Sequence, residues 1–117
     1  MLFEDLFSIM REALIKLDVS GVQTHTAYEF QVQGDPEGVY YVEIDGGQIR
    51  VEPYNYYDRD VSFAASADTY LAILNGELNP MLAFAVGRVK VYGDMSKVQR
   101  IFSHKNYKKY LLNPNYS

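Results

Sequence analysis

Apolar residues in the first eighteen positions return at steps of three and four. Leu2, Phe3, Leu6, Ile9, Met10, Ala13, Leu14 and Leu17 make one stripe, and Glu4, Asp5, Arg11, Glu12 and Lys16 fall on the other side. That period predicts an amphipathic helix over residues 2–18. Glu12 and Lys16 stand four apart in the favourable order, and Ser20-Gly21 ends the segment.

The period then becomes two. In TAYEFQVQG, Tyr28, Phe30 and Val32 alternate with Glu29, Gln31 and Gln33. In VYYVEIDGG, Tyr40, Val42 and Ile44 alternate with Tyr41, Glu43 and Asp45. Asp35-Pro36-Glu37-Gly38 between them has the chemistry of a turn, and Asp45-Gly46-Gly47 is a hairpin signal. QIRVEPY follows, with Ile49 and Val51 against Arg50 and Glu52; DVSFAAS then sets Val61 and Phe63 against Asp60 and Ser62. Four successive strands with one apolar face each predict a meander that is wet on its other side.

Helical chemistry resumes at Ser66, an N-cap residue followed by Asp68 in the first turn. ADTYLAILN stops at Gly76, which suits a left-handed C-terminal position. Asn79-Pro80 restarts a helix, since proline at the first helical position lacks only an N–H that would have no partner there. Gly87 ends it. Between these signals Met81 to Val86 contains no polar side chain. RVKVYG returns to period two with Val89 and Val91 inward. Asp94 can cap a last helix striped by Met95, Val98, Ile101 and Phe102, running to about Leu112 before Asn113-Pro114 breaks it.

A sheet with one apolar face needs a covering layer. The expected fold class is therefore α+β: a five-stranded, mainly antiparallel sheet with helices 2–18, 67–75, 80–86 and 95 onward packed on one face. The helix at 80–86 is apolar all round, so it needs a second cover or borders something apolar that is not protein.

Composition narrows the function. The 117 residues fit one domain, 1–117, without linker or repeat. There is no cysteine, and the two histidines, His25 and His104, have no metal-ligand spacing. A net charge of −4 argues against nucleic acid. No apolar run is long enough to span a bilayer. The acidic start is unlike a secretory signal, and Asn115-Tyr116-Ser117 is not a peroxisomal address; the expectation is a cytoplasmic protein. Eleven tyrosines and no tryptophan fit a sheet with half-buried aromatics.

The stretch LAILNGELNPMLAFAVGRVKVYGDMSKVQRIF resembles the sterol carrier protein 2 (SCP2) family of lipid-binding domains. The resemblance rests on Gly76, Leu78-Asn79-Pro80, the apolar helix, Gly87 and Gly93-Asp94-Met95 at this spacing. YYVEIDGGQIRVEP resembles the family's central hairpin and DVSFAASADTYLAILNG its fourth strand and next helix, so the likeness covers about 38–104. It is nearest in kind to stand-alone prokaryotic members. It implies an apolar tunnel between sheet and helices that takes sterols, fatty acyl chains, acyl-CoA or phospholipids, with no catalytic residue and no cofactor. The matched glycines, Asn79, Pro80 and Asp94 have structural roles as caps and stops.

On that reading Phe30, Val42, Phe63, Leu74, Met81, Leu82, Phe84 and Ala85 line a dry, lipid-binding hollow. Each methylene moved into such a place gains about 0.8 kcal/mol. The plainer alternative is that the same residues simply fill a core. Asp58 and Asp60 in YNYYDRD suggest a metal, but the run offers too few oxygens for a hard cation, and a solvated loop explains it better. Lys105, Lys108 and Lys109 with Tyr107, Tyr110, Leu111 and Leu112 suit transient contact with an anionic membrane surface; a plain solvated helix is the simpler account. Tyr41 and Tyr92 on the wet face would suit a homodimer or partner contact. No nucleophile–base pair or phosphate loop is present, so an enzyme is not expected. A non-catalytic assembly subunit presenting lipid or quinone intermediates to enzymes is the competing class.

Overall fold

The computed structural model describes residues 1–20, 22 and 24–98. The first helix, α1, is Phe3–Leu14, with Leu6, Met10 and Leu14 buried at four-residue intervals. It ends sooner than the apolar stripe does: Lys16 and Leu17 turn back onto Ala13 and Leu14 through backbone bonds of 3.2 and 3.1 Å. Three strands follow, β1 (Thr26–Gln33), β2 (Gly38–Asp45) and β3 (Gln48–Glu52), joined as an antiparallel meander.

The fourth strand, β4 (Val61–Ser66), departs from the expected meander. It pairs with β1, in parallel, with Phe30 opposite Phe63. The sheet order is β3-β2-β1-β4-β5, where β5 is Lys90–Gly93 and pairs antiparallel with β4. To reach the far side of β1, residues 53–60 must cross the outer face of the sheet. They bring Tyr56 onto Tyr41, ring centroids 4.8 Å apart, and Arg59 to 3.5 Å from the Glu29 carboxylate. The segment read from sequence as a solvated loop is thus a partial cover. Beneath it Glu29, Tyr41 and Ser62 are buried, so the outer face is not simply wet. Tyr41, expected at a dimer surface, is closed off by Tyr56; Tyr92 remains exposed.

The inner face carries the core. Tyr40, Phe30, Phe63 and Tyr28 lie as a row of stacked rings across β2, β1 and β4, with centroid separations of 5.0, 5.0 and 6.1 Å along it. Two more rings press on the row edge-on, Phe7 from α1 and Tyr70 from α2 (Ala67–Leu74). Such edge contacts contribute about 0.5–1.5 kcal/mol each beyond the area they bury. The Tyr70 hydroxyl reaches through the layer to donate to the Gln31 carbonyl at 3.0 Å.

Helix α3 is Pro80–Ala85. A single 3₁₀ turn, Met95–Lys97, follows β5, with the Asp94 carboxylate accepting from the Ser96 amide at 3.0 Å. Ile101, Phe102, His104 and the basic segment 105–112 lie outside the described residues, as does most of the helix expected there. The architecture is α+β: a five-stranded, mostly antiparallel sheet with helices.

Candidate functional site

Asn79 and Gly87 set the bounds of α3. The Asn79 side-chain oxygen accepts from the Met81 and Leu82 amides at 2.8 and 3.3 Å, satisfying two donors that a helix start leaves unpaired. At the other end Gly87 adopts φ +80, a backbone state that L side chains disfavour. That turn lets the amides of Arg88 and Val89 return to the Ala83 carbonyl at 2.9 and 3.2 Å.

Between those ends only Pro80 and Ala83 are buried. Met81 is 50% exposed, Leu82 55%, Phe84 41% and Val86 61%, and Ala85 is exposed as well. The eight residues singled out in the sequence therefore separate into two sets. Phe30, Val42 and Phe63 belong to the buried inner face of the sheet, and Leu74 packs half-buried against that core. Met81, Leu82, Phe84 and Ala85 face outward on α3. Together the exposed α3 side chains form a small apolar surface, a feature soluble proteins tend to keep for contact with something else.

The outer face of the sheet holds polar chemistry that the alternating pattern did not reveal. The Tyr56 hydroxyl and the His25 ring, the latter at 2.9 Å, both meet one oxygen of Glu43. These bonds hold the Glu43 carboxyl below its ordinary pKa, and the same carboxylate pushes the Tyr56 hydroxyl up to about 12. Glu29 accepts from Gln31 at 3.0 Å and from Ser62 at 3.2 Å, with Arg59 nearby. Burial pushes Asp60 upward, but the Lys97 ammonium at 2.7 Å and the Ala27 amide at 2.8 Å outweigh it and leave its carboxyl below the usual range. Asp60 thus ties β1 to the turn after β5. Among the described residues no group of three or more His, Cys, Asp or Glu side chains could hold a metal ion.

Two cavities open on this outer face. One, of about 540 Å³, is lined by Glu29, Gln31, Gln33, Glu37 and Asn55 among others. Another, of about 340 Å³, is lined by Gln31, Arg59, Asp60, Ser62 and Tyr92 among others. Neither includes any of the eight apolar residues. The only sequence hint of the outer-face cluster was the placing of Glu29 and Glu43 in mid-strand, where solvated acids are unremarkable until something covers them.

No helix among the described residues is long and apolar enough to cross a membrane. Residues 12–103 match the SCP-2 sterol transfer family. Hydroxysteroid dehydrogenase-like protein 2 of Bos taurus is 28% identical over 111 residues, which is 90% of this chain and 26% of that one. This chain thus spans about a quarter of that relative's length. Among solved structures, the UbiJ-SCP2 ubiquinone synthesis protein superposes with a TM-score of 0.66 at 18% identity, covering 94% of this chain and 97% of its own. Palmitated SCP2L2 from Aedes aegypti superposes with a TM-score of 0.63 at 18% identity, covering 89% and 96%. At those identities the superpositions speak for the fold alone. The family match spans the last turn of α1, the whole sheet, α2 and α3, and on that match the chain belongs to the SCP-2 sterol transfer family.

Proposed function

We propose that this protein binds an apolar ligand (a fatty acyl chain, a sterol-like molecule or an isoprenoid lipid) between α3 and the aromatic inner face of the sheet, and carries it through the cytoplasm without chemistry. The observation that carries the reading is the state of α3. It is capped and stopped as firmly as a core helix, yet it gives the core only Pro80 and Ala83 and keeps Met81, Leu82, Phe84 and Ala85 outward. A helix held by so little apolar area, between glycines at φ +76 and +80, costs little to displace. Its displacement would open a route to Phe30, Val42, Phe63 and Leu74. The ligand would restore the lost burial at about 0.8 kcal/mol per methylene. Selectivity among chain lengths would be weak, since one methylene changes affinity modestly. Cargo exchange would bring the protein to a membrane, where the basic, aromatic segment 105–112 is suited to a transient contact, and a homodimer would be one carrier form. Mass spectrometry of organic extracts from natively purified protein, with titration of a fluorescent fatty acid, tests the reading. Stoichiometric lipid and saturable uptake are expected. Lipid-free protein that takes up no fatty acid or sterol probe would overturn it.

A second reading has its own observation. The UbiJ-SCP2 ubiquinone synthesis protein superposes over nearly the full length of both chains. On this reading the chain is an accessory subunit that presents a lipid or quinone intermediate to enzymes. Co-purification of such enzymes with a tagged chain is expected; isolation of the chain alone under gentle conditions would count against it.

A further inference from the structure

The charges of this chain are divided along its length. The first 77 residues hold fourteen acids and four Lys or Arg, a net of −10; the remaining forty hold one acid, Asp94, and seven bases, a net of +6. From Leu78 to Gly93 there is no acid at all. The apolar surface of α3 sits in that interval. At 100° per residue, Met81, Ala85, Leu82 and Val86 fall on one arc opposite Pro80 and Ala83, with Phe84 at its margin. Arg88, exposed just past the helix, donates to the Thr69 hydroxyl at 3.3 Å. A single half-exposed leucine on a surface needs no explanation. Four large apolar side chains on seven residues, followed by a base in the acid-free part of an acidic protein, do.

We infer that α3 is the element through which this protein meets an anionic lipid surface. Met81, Leu82 and Val86 enter the boundary between headgroups and acyl chains, and Arg88 lies at the phosphates. The inference rests on the lipid-carrier reading and adds the docking surface to it. Apolar burial supplies the depth of insertion, and Arg88 and Lys90, both exposed in the acid-free interval, supply the attraction. Docked this way, the helix that covers the proposed ligand site is itself in the membrane, so displacing it and delivering cargo are one event.

The chain has no tryptophan and no cysteine, so a probe at Val86 reports alone. The full-length Val86→Trp protein is mixed with vesicles of phosphatidylcholine and phosphatidylglycerol at 7:3, and with pure phosphatidylcholine. With anionic vesicles the emission should shift to the blue. Bromines near the headgroup end of the acyl chains should quench it more than bromines deep in the bilayer, because an interfacial helix enters only about 5–10 Å. Pure phosphatidylcholine should bind far less, and Arg88→Gln should weaken binding to anionic vesicles about fivefold. Three results overturn the inference. One is flotation of the protein with unquenched Trp emission at position 86, which places the contact elsewhere. Another is a blue-shifted, concentration-dependent emission without vesicles, which means a second copy covers α3. The last is no flotation at all. If Val86→Trp does not fold, a nitroxide on Val86→Cys reads the same depth. Fatty-acid titration of the unmodified protein without vesicles separates the two readings. Uptake without docking removes this inference alone, and docking without uptake removes the carrier and leaves the surface.

Discussion

Helices α2 and α3 are built on one plan and used in opposite ways. Each begins on a side-chain cap: Ser66 accepts from the Thr69 amide at 3.2 Å, and Asn79 from Met81 at 2.8 Å. Each ends on a glycine in the left-handed region, Gly76 or Gly87, whose turn lets two later amides return to one carbonyl, Ala72 or Ala83. But α2 sends Tyr70 into the aromatic row, and α3 sends only Pro80 and Ala83 inward. The lesson is that caps and stops define where a helix is, not what it faces. Apolar content does not define it either: α3 has no polar side chain and is the more exposed of the two. What decides is whether a large side chain finds partners in the core.

The sharpest way to break the comparison is Tyr70→Ala. It removes a buried ring that touches Phe30 and Tyr40, together with the hydroxyl's bond to the Gln31 carbonyl. The expected cost is about 3–5 kcal/mol, the range for truncating a buried aromatic side chain. It should appear as a lower urea midpoint at unchanged slope. A loss under 1 kcal/mol would mean that α2 is held no more firmly than α3.

Ala83→Leu comes next. Ala83 is fully buried, and it is the contact that seats α3. If α3 rests against packed side chains, three added carbons should destabilise by about 1–3 kcal/mol. An unchanged midpoint would show open space beneath the helix in the free protein. That result would favour a ligand beneath α3 and rule out close seating of the helix on the core.

How far these differences could be read in advance depends on what each signal encodes. The alternation of Tyr28, Phe30 and Val32, or of Tyr40, Val42 and Ile44, reports which side chains face inward, and all six are buried as the period required. It carries nothing about which strand β4 joins. That is settled by residues 53–60, whose tyrosines and Arg59 find Tyr41, Glu43 and Glu29 only after the chain has crossed the sheet. The same crossing buries Glu29 and Ser62, which the period alone marks as solvated. For α3 the signals gave the ends closely, since Asn-Pro and Gly act locally. A six-residue helix with no polar side chain has no moment to orient it, so its outward face was not legible. Apart from Leu74 on α2, the lipid-binding set mixed sheet residues, where period gives direction, with α3 residues, where it does not.

A smaller effect separates the two caps. Ser66→Ala removes one backbone bond to the first turn of its helix and Asn79→Ala removes two, and losing such a cap typically costs about 1 kcal/mol. Because α2 is locked into the core through Tyr70, its cap should count toward global unfolding and lower the urea midpoint accordingly. The α3 cap should count mainly toward local opening. Hydrogen exchange should then quicken at the Val86, Gly87 and Arg88 amides, which bond within and just beyond that helix. Equal global losses for both variants would make α3 part of the same cooperative unit.

The least disturbing change to the fold is Leu82→Ser, and it bears most directly on function. Leu82 is 55% exposed, so its replacement should move stability by no more than about 0.5 kcal/mol. A buried leucine contact with an apolar ligand is a different matter, since burying such a side chain is worth roughly 1.5–3 kcal/mol. If the ligand or a bilayer covers this face, fatty-acid uptake or vesicle binding should fall about tenfold or more while the melt is unchanged. The same change at Leu74, half-buried against the core, should lower both together. Equal loss of stability at the two positions would mean that α3 is packed like α2 in solution, and that its exposed side chains await no ligand.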